Sequence, residues 1–300
     1  MPSSLVPPDS EMSHAYADYM EEGAGTAVTE NVPGYSENLT ELETAGHSLA
    51  EILTIDKFRR RIARDYQRFL TTFTDENGHS VYHARIKTMC SANHESLEVS
   101  YLHLVESNAF LAKLVANVPA ATLEIFDEAT MRIVLRLFED YDRIKSEIHV
   151  RITDFPSIDQ LRDLRYNHLN TLVRVSGVVT RRSGVFPQLK MVKYDCGRCG
   201  AILGPFVQDL NEEIKINSCS ECEARGPFTV NASQTVYRNY QKITLQEAPG
   251  SVPAGRLPRH KDVILLWDLI DSGRPGEMIV RKSILNFKFL IFFIGSYRYL

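Results

Sequence analysis

The spacing of four cysteines constrains the fold of this 300-residue chain more than any other feature of its sequence. Two C-x2-C pairs are separated by nineteen residues and comprise Cys196, Cys199, Cys219 and Cys222. Each pair forms a tight turn that directs two thiolates to one point, so two such turns complete a tetrahedral site of four sulfur ligands. We predict a structural Zn²⁺, because four protein ligands leave no position for water. Iron has the same ligand set, and four unliganded thiols are the alternative.

Segments with the pattern of β-strands lie on both sides of the cysteines. Aliphatic and β-branched residues occupy 172–194 and return across 228–280, with Gly and Pro turns between the runs. Five or six short strands predict a small barrel or sandwich. The cysteine segment, 196–227, is therefore expected to be an insertion in a barrel formed by 166–195 and 228–280. A segment of that size buries little, so the metal must supply its stability.

The part of the chain before the barrel, residues 51–165, predicts a small helical domain with minor strands. Phe58, Ile62 and Tyr66 recur at helical spacing, and Pro119 suits the first position of a helix along Ala120–Phe138. A short helix is expected at Ile158–Arg165. We interpret the apolar residues of this domain as core rather than as a ligand site.

Charge is distributed unevenly along the chain. Residues 1–50 contain nine Asp and Glu and neither Lys nor Arg, so the rest carries a net charge of +5 although the whole chain has −4. Their Pro, Ser, Gly and Glu content predicts a disordered acidic tail. Such a tail is either solvated or binds a basic partner such as a histone.

Composition also bears on the cellular compartment. No apolar run approaches the ~20 residues of a membrane span, so we expect no membrane partner. The N-terminal residues lack a basic segment followed by an apolar one, which argues against a secretory signal. An odd number of cysteines, five, then favours thiols or metal ligands over disulfides.

Basic residues are concentrated in the predicted barrel. Residues 166–194 contain five Lys and Arg and no acid, and residues 224–261 contain six against one acid, Glu247. A five-stranded barrel with basic loops has the properties of an oligonucleotide-binding (OB) fold. A merely solvated basic face is the alternative.

The sequence around the cysteines resembles the N-terminal half of the eukaryotic minichromosome maintenance (MCM) replicative helicases, and in particular their subunit-two type. The resemblance runs from about Asn38 to Val280. It is carried by NTLVRVSGVVTRRSGVFPQLKMVKYDCGRCG and by YRNYQKITLQEAPGSVPAGRLPRHKDVILLWDLID. It implies an α+β multidomain fold, in which a helical N-terminal subdomain is followed by an OB-fold β-barrel with an inserted four-cysteine zinc ribbon.

The resemblance also implies partners and site residues. Members of the family form a nuclear hetero-hexamer around single- and double-stranded DNA, and their zinc ribbons help two rings meet head to head. By position, the four cysteines match the zinc ligands and Val252–Val263 matches a channel-facing hairpin region. The implied DNA-binding residues are Arg181, Arg182, Arg238, Lys242, Arg256, Arg259 and Lys261.

Two departures from the family qualify this expectation. Family members follow the barrel with an AAA+ ATPase, whereas this chain has no G-x-x-x-x-G-K-[ST] phosphate loop. It is therefore expected not to hydrolyse ATP, which only full-length members would bind. Residues 281–300 do not match the family and are expected to be an aberrant hydrophobic tail, from translated intron or a shifted frame. The barrel would then lack a strand and expose an edge.

The resemblance does not remove every alternative. A stand-alone zinc-ribbon and OB adaptor that binds protein partners would have the same cysteines and the same barrel, with its basic loops incidental. Salt-dependent binding to single-stranded DNA would distinguish the helicase region from the adaptor.

Overall fold

The computed structural model describes residues 49–75, 78–208, 216–253, 255–285, 290–292 and 296–298. The expected acidic tail lies outside the described residues, except for its last two positions. Among the described helices, none is both long enough and apolar enough to cross a bilayer.

The first half of the described chain is a helical domain with two short strands. In chain order its elements are α1 (Leu49–Ile52), α2 (Asp56–Thr72), α3 (Val81–Ser91), β1 (Ser96–Ser100), α4 (Tyr101–Ser107), α5 (Ala109–Asn117), α6 (Pro119–Leu137), α7 (Tyr141–Ile144) and β2 (His149–Thr153). Strands β1 and β2 pair in parallel, with Leu97 opposite Val150. The expected helical domain with minor strands is therefore present.

The core of this domain forms where α2 packs against α6. Residues Ile62, Tyr66 and Phe69 recur at helical spacing and are fully buried. The ring of Tyr66 stacks on Phe126 of α6 with 3.8 Å between centroids. As the sequence predicted, Pro119 is the first residue of α6. The apolar pattern of α2 thus fixes which of its faces meets α6.

The second half is a mainly antiparallel barrel whose first strand is unusually long. Its strands are β3 (Leu172–Cys196), β4 (Ile202–Val207), β5 (Phe228–Val230), β6 (Val236–Gln246), β7 (His260–Leu266), β8 (Met278–Leu285), β9 (Leu290–Phe292) and β10 (Ser296–Arg298). The barrel core consists mainly of aliphatic side chains from β3, β6, β7 and β8, including Val173, Val175, Val179, Ile243, Leu245, Val263, Leu265 and Ile279.

Strand pairing closes the barrel around β3. Residues Leu172–Val178 of β3 pair with β8, and residues Val178–Met191 pair with β6. Strand β7 pairs with β6, and β9 lies between β7 and β8. The end of β3 pairs with β4, which belongs to the cysteine segment, and with β5, which directly follows that segment. The OB-like barrel with an inserted cysteine segment is therefore present.

Two local expectations differ from the structure. Residues 158–165 are not helical, because Asp159 donates its backbone N–H to Arg174 and forms a parallel bridge to Val175. Their apolar spacing instead places Leu161 in the barrel core. Strand β8 also continues past the expected boundary at residue 280 to Leu285, and pairs with β3 as far as Ile284. The barrel sheet thus includes part of the segment expected to be an aberrant tail.

Gly177 allows β3 to pass close to β6 at the point where its pairing changes from β8 to β6. A Cβ atom at this position would lie 2.5 Å from the backbone oxygen of Gln246 and 2.8 Å from a side-chain carbon of Leu245. Gly177 thus marks a close approach of two backbones. A larger residue would have to push β6 away.

We expect Gly177→Ala to lower the free energy of unfolding by about 1–3 kcal/mol, the usual cost of overpacking a filled site. Urea unfolding followed by circular dichroism would measure it. Gly184→Ala is the matched control, because its Cβ would meet only Phe186 at 3.9 Å. Equal stability of the two variants would contradict the close approach at Gly177.

Candidate metal centre and basic barrel surface

The four cysteines converge at the end of β3. Their sulfur atoms all lie within 4.8 Å of one another. The Sγ atoms of Cys196 and Cys222 are 3.7 Å apart, as are those of Cys199 and Cys219. A tetrahedral site with Zn–S bonds of ~2.3 Å has edges of about 3.8 Å, whereas a disulfide requires about 2.05 Å. Four free thiols with this spacing could hold a metal ion.

Two turns of the same construction position these thiols. After Cys196, Gly200 donates its N–H to the carbonyl of Cys196 at 2.8 Å and has a φ of +71°. After Cys219, Glu223 donates its N–H to the carbonyl of Cys219 at 3.1 Å and has a φ of +53°. Each turn therefore reverses the chain within five residues, as the C-x2-C spacing predicted.

Electrostatics within the cluster favour a divalent cation. Backbone N–H groups of Cys199 and Arg198 lower the pKa of the Cys196 thiol to about 6. At Cys199 the N–H of Ala201 also lowers the pKa, but the Cys222 thiol and burial outweigh it and raise the pKa to about 12. The neighbouring thiols thus hinder the ionisation of Cys199, and a bound dication would stabilise its thiolate form. The donor set fits Zn²⁺.

Apolar side chains surround the cluster on the strand side. Leu203 is buried against Cys196 and Cys219, and Tyr194 and Phe206 pack beside them. The N–H of Gly197 donates to the carbonyl of Pro227 at 2.9 Å, which joins the first turn to the strand that leaves the second. This small apolar cluster is the only buried core that the described part of the cysteine segment possesses.

The outer face of the barrel carries some of the predicted DNA-binding residues, and part of their charge is neutralised. Arg181 lies opposite Thr244 in the β3–β6 ladder, and Thr244 lies opposite Asp262 of β7. The ammonium of Lys242 is 2.8 Å from Asp262 and holds the pKa of that carboxyl below its usual range. Arg181 is exposed and makes no ion pair with the described residues. This face therefore presents the cations Arg181 and Lys242, and the carboxylate of Asp262 partly neutralises them.

Arg182 is tied to the turn that follows β7. Its guanidinium is 3.3 Å from Asp271. The same carboxylate accepts a hydrogen bond from the side chain of Gln241 at 3.0 Å, and Gln241 in turn accepts from the N–H of Asp271 at 2.9 Å. Because Gln241 is buried, this network fixes Arg182 at the barrel rim. Arg238 is half-buried on the same strand as Gln241.

The remaining three predicted residues lie on the loop between β6 and β7 and at the start of β7. Arg256 and Arg259 are exposed, and Lys261 is half-buried at the start of β7. Next to them, Leu257 is 88% exposed. The structure thus brings a group of cations into one surface loop, within the segment Val252–Val263 that the sequence singled out. Their contact with DNA stays a prediction.

A buried ion pair holds the base of this loop. Arg162 donates two hydrogen bonds to Glu247, at 3.0 and 2.7 Å, and holds the pKa of that carboxyl below its usual range. Glu247 also accepts from the N–H of Arg259 at 2.9 Å. Arg259 donates in turn to the carbonyl of Arg162 at 3.2 Å. The one acid of this basic stretch therefore has a structural role that its sequence position did not reveal.

Sequence reasoning also missed the contact between the two domains. Arg151 of β2 is 2% exposed, pairs with Asp268 and lies 5.8 Å above the ring of Trp267. Asp268 also accepts a hydrogen bond from the hydroxyl of Ser96 at 2.5 Å. The ring centroids of His149 and Trp267 are 4.0 Å apart. An arginine between Val150 and Ile152 of a short apolar strand was the only sequence signal for this junction.

A groove lies beside this junction. Its volume is about 850 Å³, and its walls include Arg85, Glu98, Lys145 and Arg151. The guanidinium of Arg85 donates to the carbonyl of Glu98 at 2.9 Å, and the ammonium of Lys145 lies 3.1 Å from the carboxylate of Glu95. Arg85 and Lys145 in the walls of the groove thus already have partners within the groove.

Comparisons with known proteins agree with this architecture. The profile of the MCM N-terminal domain matches residues 63–154, and that of the MCM OB domain matches residues 160–287. The DNA replication licensing factor mcm2 of Schizosaccharomyces pombe is 51% identical over 278 residues, which cover 87% of this chain and 34% of that protein. DNA replication licensing factor Mcm2 of Drosophila melanogaster is 52% identical over 242 residues, 80% of this chain and 27% of that protein.

An archaeal relative is more distant. Minichromosome maintenance protein MCM of Saccharolobus solfataricus is 29% identical over 226 residues, which cover 73% of this chain and 33% of that protein. The chain therefore spans about a quarter to a third of the length of these relatives.

For the metal centre, we expect the purified chain to contain about one equivalent of zinc by elemental analysis. Cys199→Ser should lower this well below one equivalent, because it removes one of the four thiolates. Ser220→Ala, an exposed change between the two cysteines of the second turn, should leave the metal content unchanged. An unmodified chain that binds no zinc would refute the site.

For the loop base, we expect Glu247→Gln to lower the midpoint of thermal unfolding at pH 7 by about 3–6 °C. The carboxyl pKa is depressed in the folded state, so its contribution is present above its ordinary pKa of about 4.3 and is lost as the pH falls through the lower folded value. The difference from the unmodified chain should therefore disappear in acid. Glu139→Gln, an exposed change, should have no effect at either pH.

Proposed function

Because this chain belongs to the minichromosome maintenance family, we propose that it is the DNA-binding and ring-assembling N-terminal region of a subunit of the replicative helicase, of the subunit-two type. The relatives that share half of its residues are named DNA replication licensing factors. The matched OB domain contains both the predicted metal centre and the basic barrel surface. A function on chromosomal DNA would require the protein to be in the nucleus.

The observation that carries this proposal is the arrangement of cations on the barrel. Arg181 and Lys242 lie on the outer face, Arg256 and Arg259 lie on the loop that joins β6 to β7, and Lys261 follows at the start of β7. Phosphate backbones bind such surfaces by releasing condensed counterions, and each neutralised phosphate adds to the salt dependence. We infer that this surface contacts the DNA backbone without reading its sequence. The channel-facing role of the loop is part of this proposal.

The metal centre would have a structural role. A Zn²⁺ bound by Cys196, Cys199, Cys219 and Cys222 would supply cross-linking and no catalysis, because all four positions would be filled. Its apolar cluster is too small to hold β4 and β5 on β3 without such a cross-link. We infer that this rigid projection contacts a second ring head to head, while other MCM subunits flank the chain in a hetero-hexamer.

Two further partners form part of the proposal. The acidic residues of 1–50 offer a surface for basic proteins such as histones. The alternative function, an adaptor that binds protein partners, is favoured by one observation: Val185, Phe186, Val236 and Tyr237 are 42–50% exposed where β3 and β6 extend from the barrel. DNA binding distinguishes the two functions.

We expect the chain to bind a single-stranded oligonucleotide in the micromolar range, measured by fluorescence anisotropy at several salt concentrations. The triple variant Arg256→Gln/Arg259→Gln/Lys261→Gln should bind more weakly. The slope of log affinity against log salt should decrease by about 2, since three contacts contribute ~0.7 each.

The matched control removes three exposed arginines from the helical domain, Arg132→Gln/Arg136→Gln/Arg143→Gln. It should bind as the unmodified chain does. Absence of salt-dependent binding by the unmodified chain would reject the DNA-binding function and favour the adaptor. An equal loss in both variants would reject the barrel loop as the site.

A further inference from the structure

Helix α2 carries a basic stripe that neither the metal centre nor the barrel surface uses. It consists of Lys57, Arg60, Arg61, Arg64 and Arg68. At 100° per residue these five positions fall within an arc of about 100° on the helix. Four of the five side chains are exposed, and Arg61 is half-buried. We call this set the α2 basic stripe.

The stripe lies opposite the buried face of α2. Ile62, Tyr66 and Phe69 point into the domain core, so the apolar side of this amphipathic helix is already occupied. The neighbouring Arg59 faces α6, where it lies 3.7 Å from both Glu124 and Glu128. The helical domain thus neutralises the arginine on its inner side. The two acids of the same helix lie at the edges of the stripe, Asp65 half-buried at one edge and Asp56 exposed at the other.

A segment of opposite charge is attached directly to this helix. Residues 9–43 contain nine carboxylates, and the first fifty residues contain no Lys or Arg. The described chain begins at Leu49 with α1, which is separated from α2 by three residues. Attachment to the same chain gives such a segment an effective concentration of the order of millimolar at the stripe.

The lengths of the two elements are compatible. Helix α2 has 17 residues and is therefore about 26 Å long. An extended chain covers up to ~3.5 Å per residue, so the six steps from Leu49 back to Glu43 span up to about 21 Å and the twelve back to Glu37 up to about 42 Å. The segment that contains Glu37, Glu41 and Glu43 is therefore long enough to run alongside the whole of α2.

We propose that the acidic N-terminal segment of this chain binds the α2 basic stripe within the same molecule. The carboxylates around residues 37–43 pair with the exposed guanidinium groups and with Lys57. The contact is electrostatic and exposed, so each pair is weak and salt-sensitive, and several act together. It shields the stripe from other polyanions, and a basic partner of the segment would compete with it.

Zero-length carbodiimide crosslinking of the full chain tests this contact, because the reagent joins a carboxylate to an amine only when they touch. At about 50 mM NaCl we expect Lys57 to crosslink to carboxylates of residues 37–43, identified by mass spectrometry. Near 0.5 M NaCl, where the Debye length is roughly 4 Å, the yield should fall several-fold. A mixture of isotopically labelled and unlabelled chains shows that the link is intramolecular.

Variants of the stripe show whether its charge is the cause. Arg60→Gln/Arg64→Gln/Arg68→Gln keeps Lys57 but should reduce the crosslink about tenfold, since three exposed pairs are lost. Arg60→Lys/Arg64→Lys/Arg68→Lys retains the charge, so it should keep the link and extend it to the new amines. Arg132→Gln/Arg143→Gln, which removes paired arginines elsewhere in the domain, should leave the yield unchanged.

Several results would overturn the proposal. Absence of the Lys57 link at low salt would do so, as would a yield that the glutamine variant does not change. If the stripe instead serves nucleic acid, the glutamine variant would weaken oligonucleotide binding while the crosslink is absent. The experiment contains no DNA, so its outcome is independent of the proposed DNA-binding function of the barrel.

Discussion

The backbone ladder of β3 is the constraint on which the rest of the structure depends. This one strand of 25 residues pairs in turn with β8, β6, β4 and β5. It therefore supplies a wall of the barrel, the extension beyond it and the first cysteine of the metal centre. Because successive parts of the strand direct their backbone groups to different partners, the cysteine segment is coupled to the barrel core without a separate linker.

The cations of the barrel divide into two groups that sequence alone could not separate. Lys242 and Arg182 are held by carboxylates at the rim, which fixes their positions but reduces their charge. Arg181 and Arg256 have no ion pair with the described residues and remain available to a polyanion. The two groups have different uses for a bound polyanion. The ion-paired cations set the geometry of the surface, and the cations without an ion pair set its affinity.

Features encoded by residues close in sequence were predictable, and those that depend on long-range pairing were not. The C-x2-C spacing dictates both cysteine turns, and the spacing of Ile62 and Tyr66 dictates the buried face of α2. By contrast, the short helix expected at 158–165 is absent because Leu161 packs into a barrel whose strands come later in the chain. The pair of Lys242 with Asp262 likewise requires the register of two strands. Family resemblance supplied the OB topology that periodicity left open between a barrel and a sandwich.

Arg151 and Asp268 lie 117 positions apart, yet each supplies the counter-charge that the other needs. The guanidinium is among the most buried side chains described, and its partner belongs to the other domain. Separation of the two domains would remove the partner of Arg151 and open its guanidinium to water, so the ion pair favours the domains in contact. The boundary near residue 165 therefore separates two folds, but it does not separate the charged groups that stabilise each other.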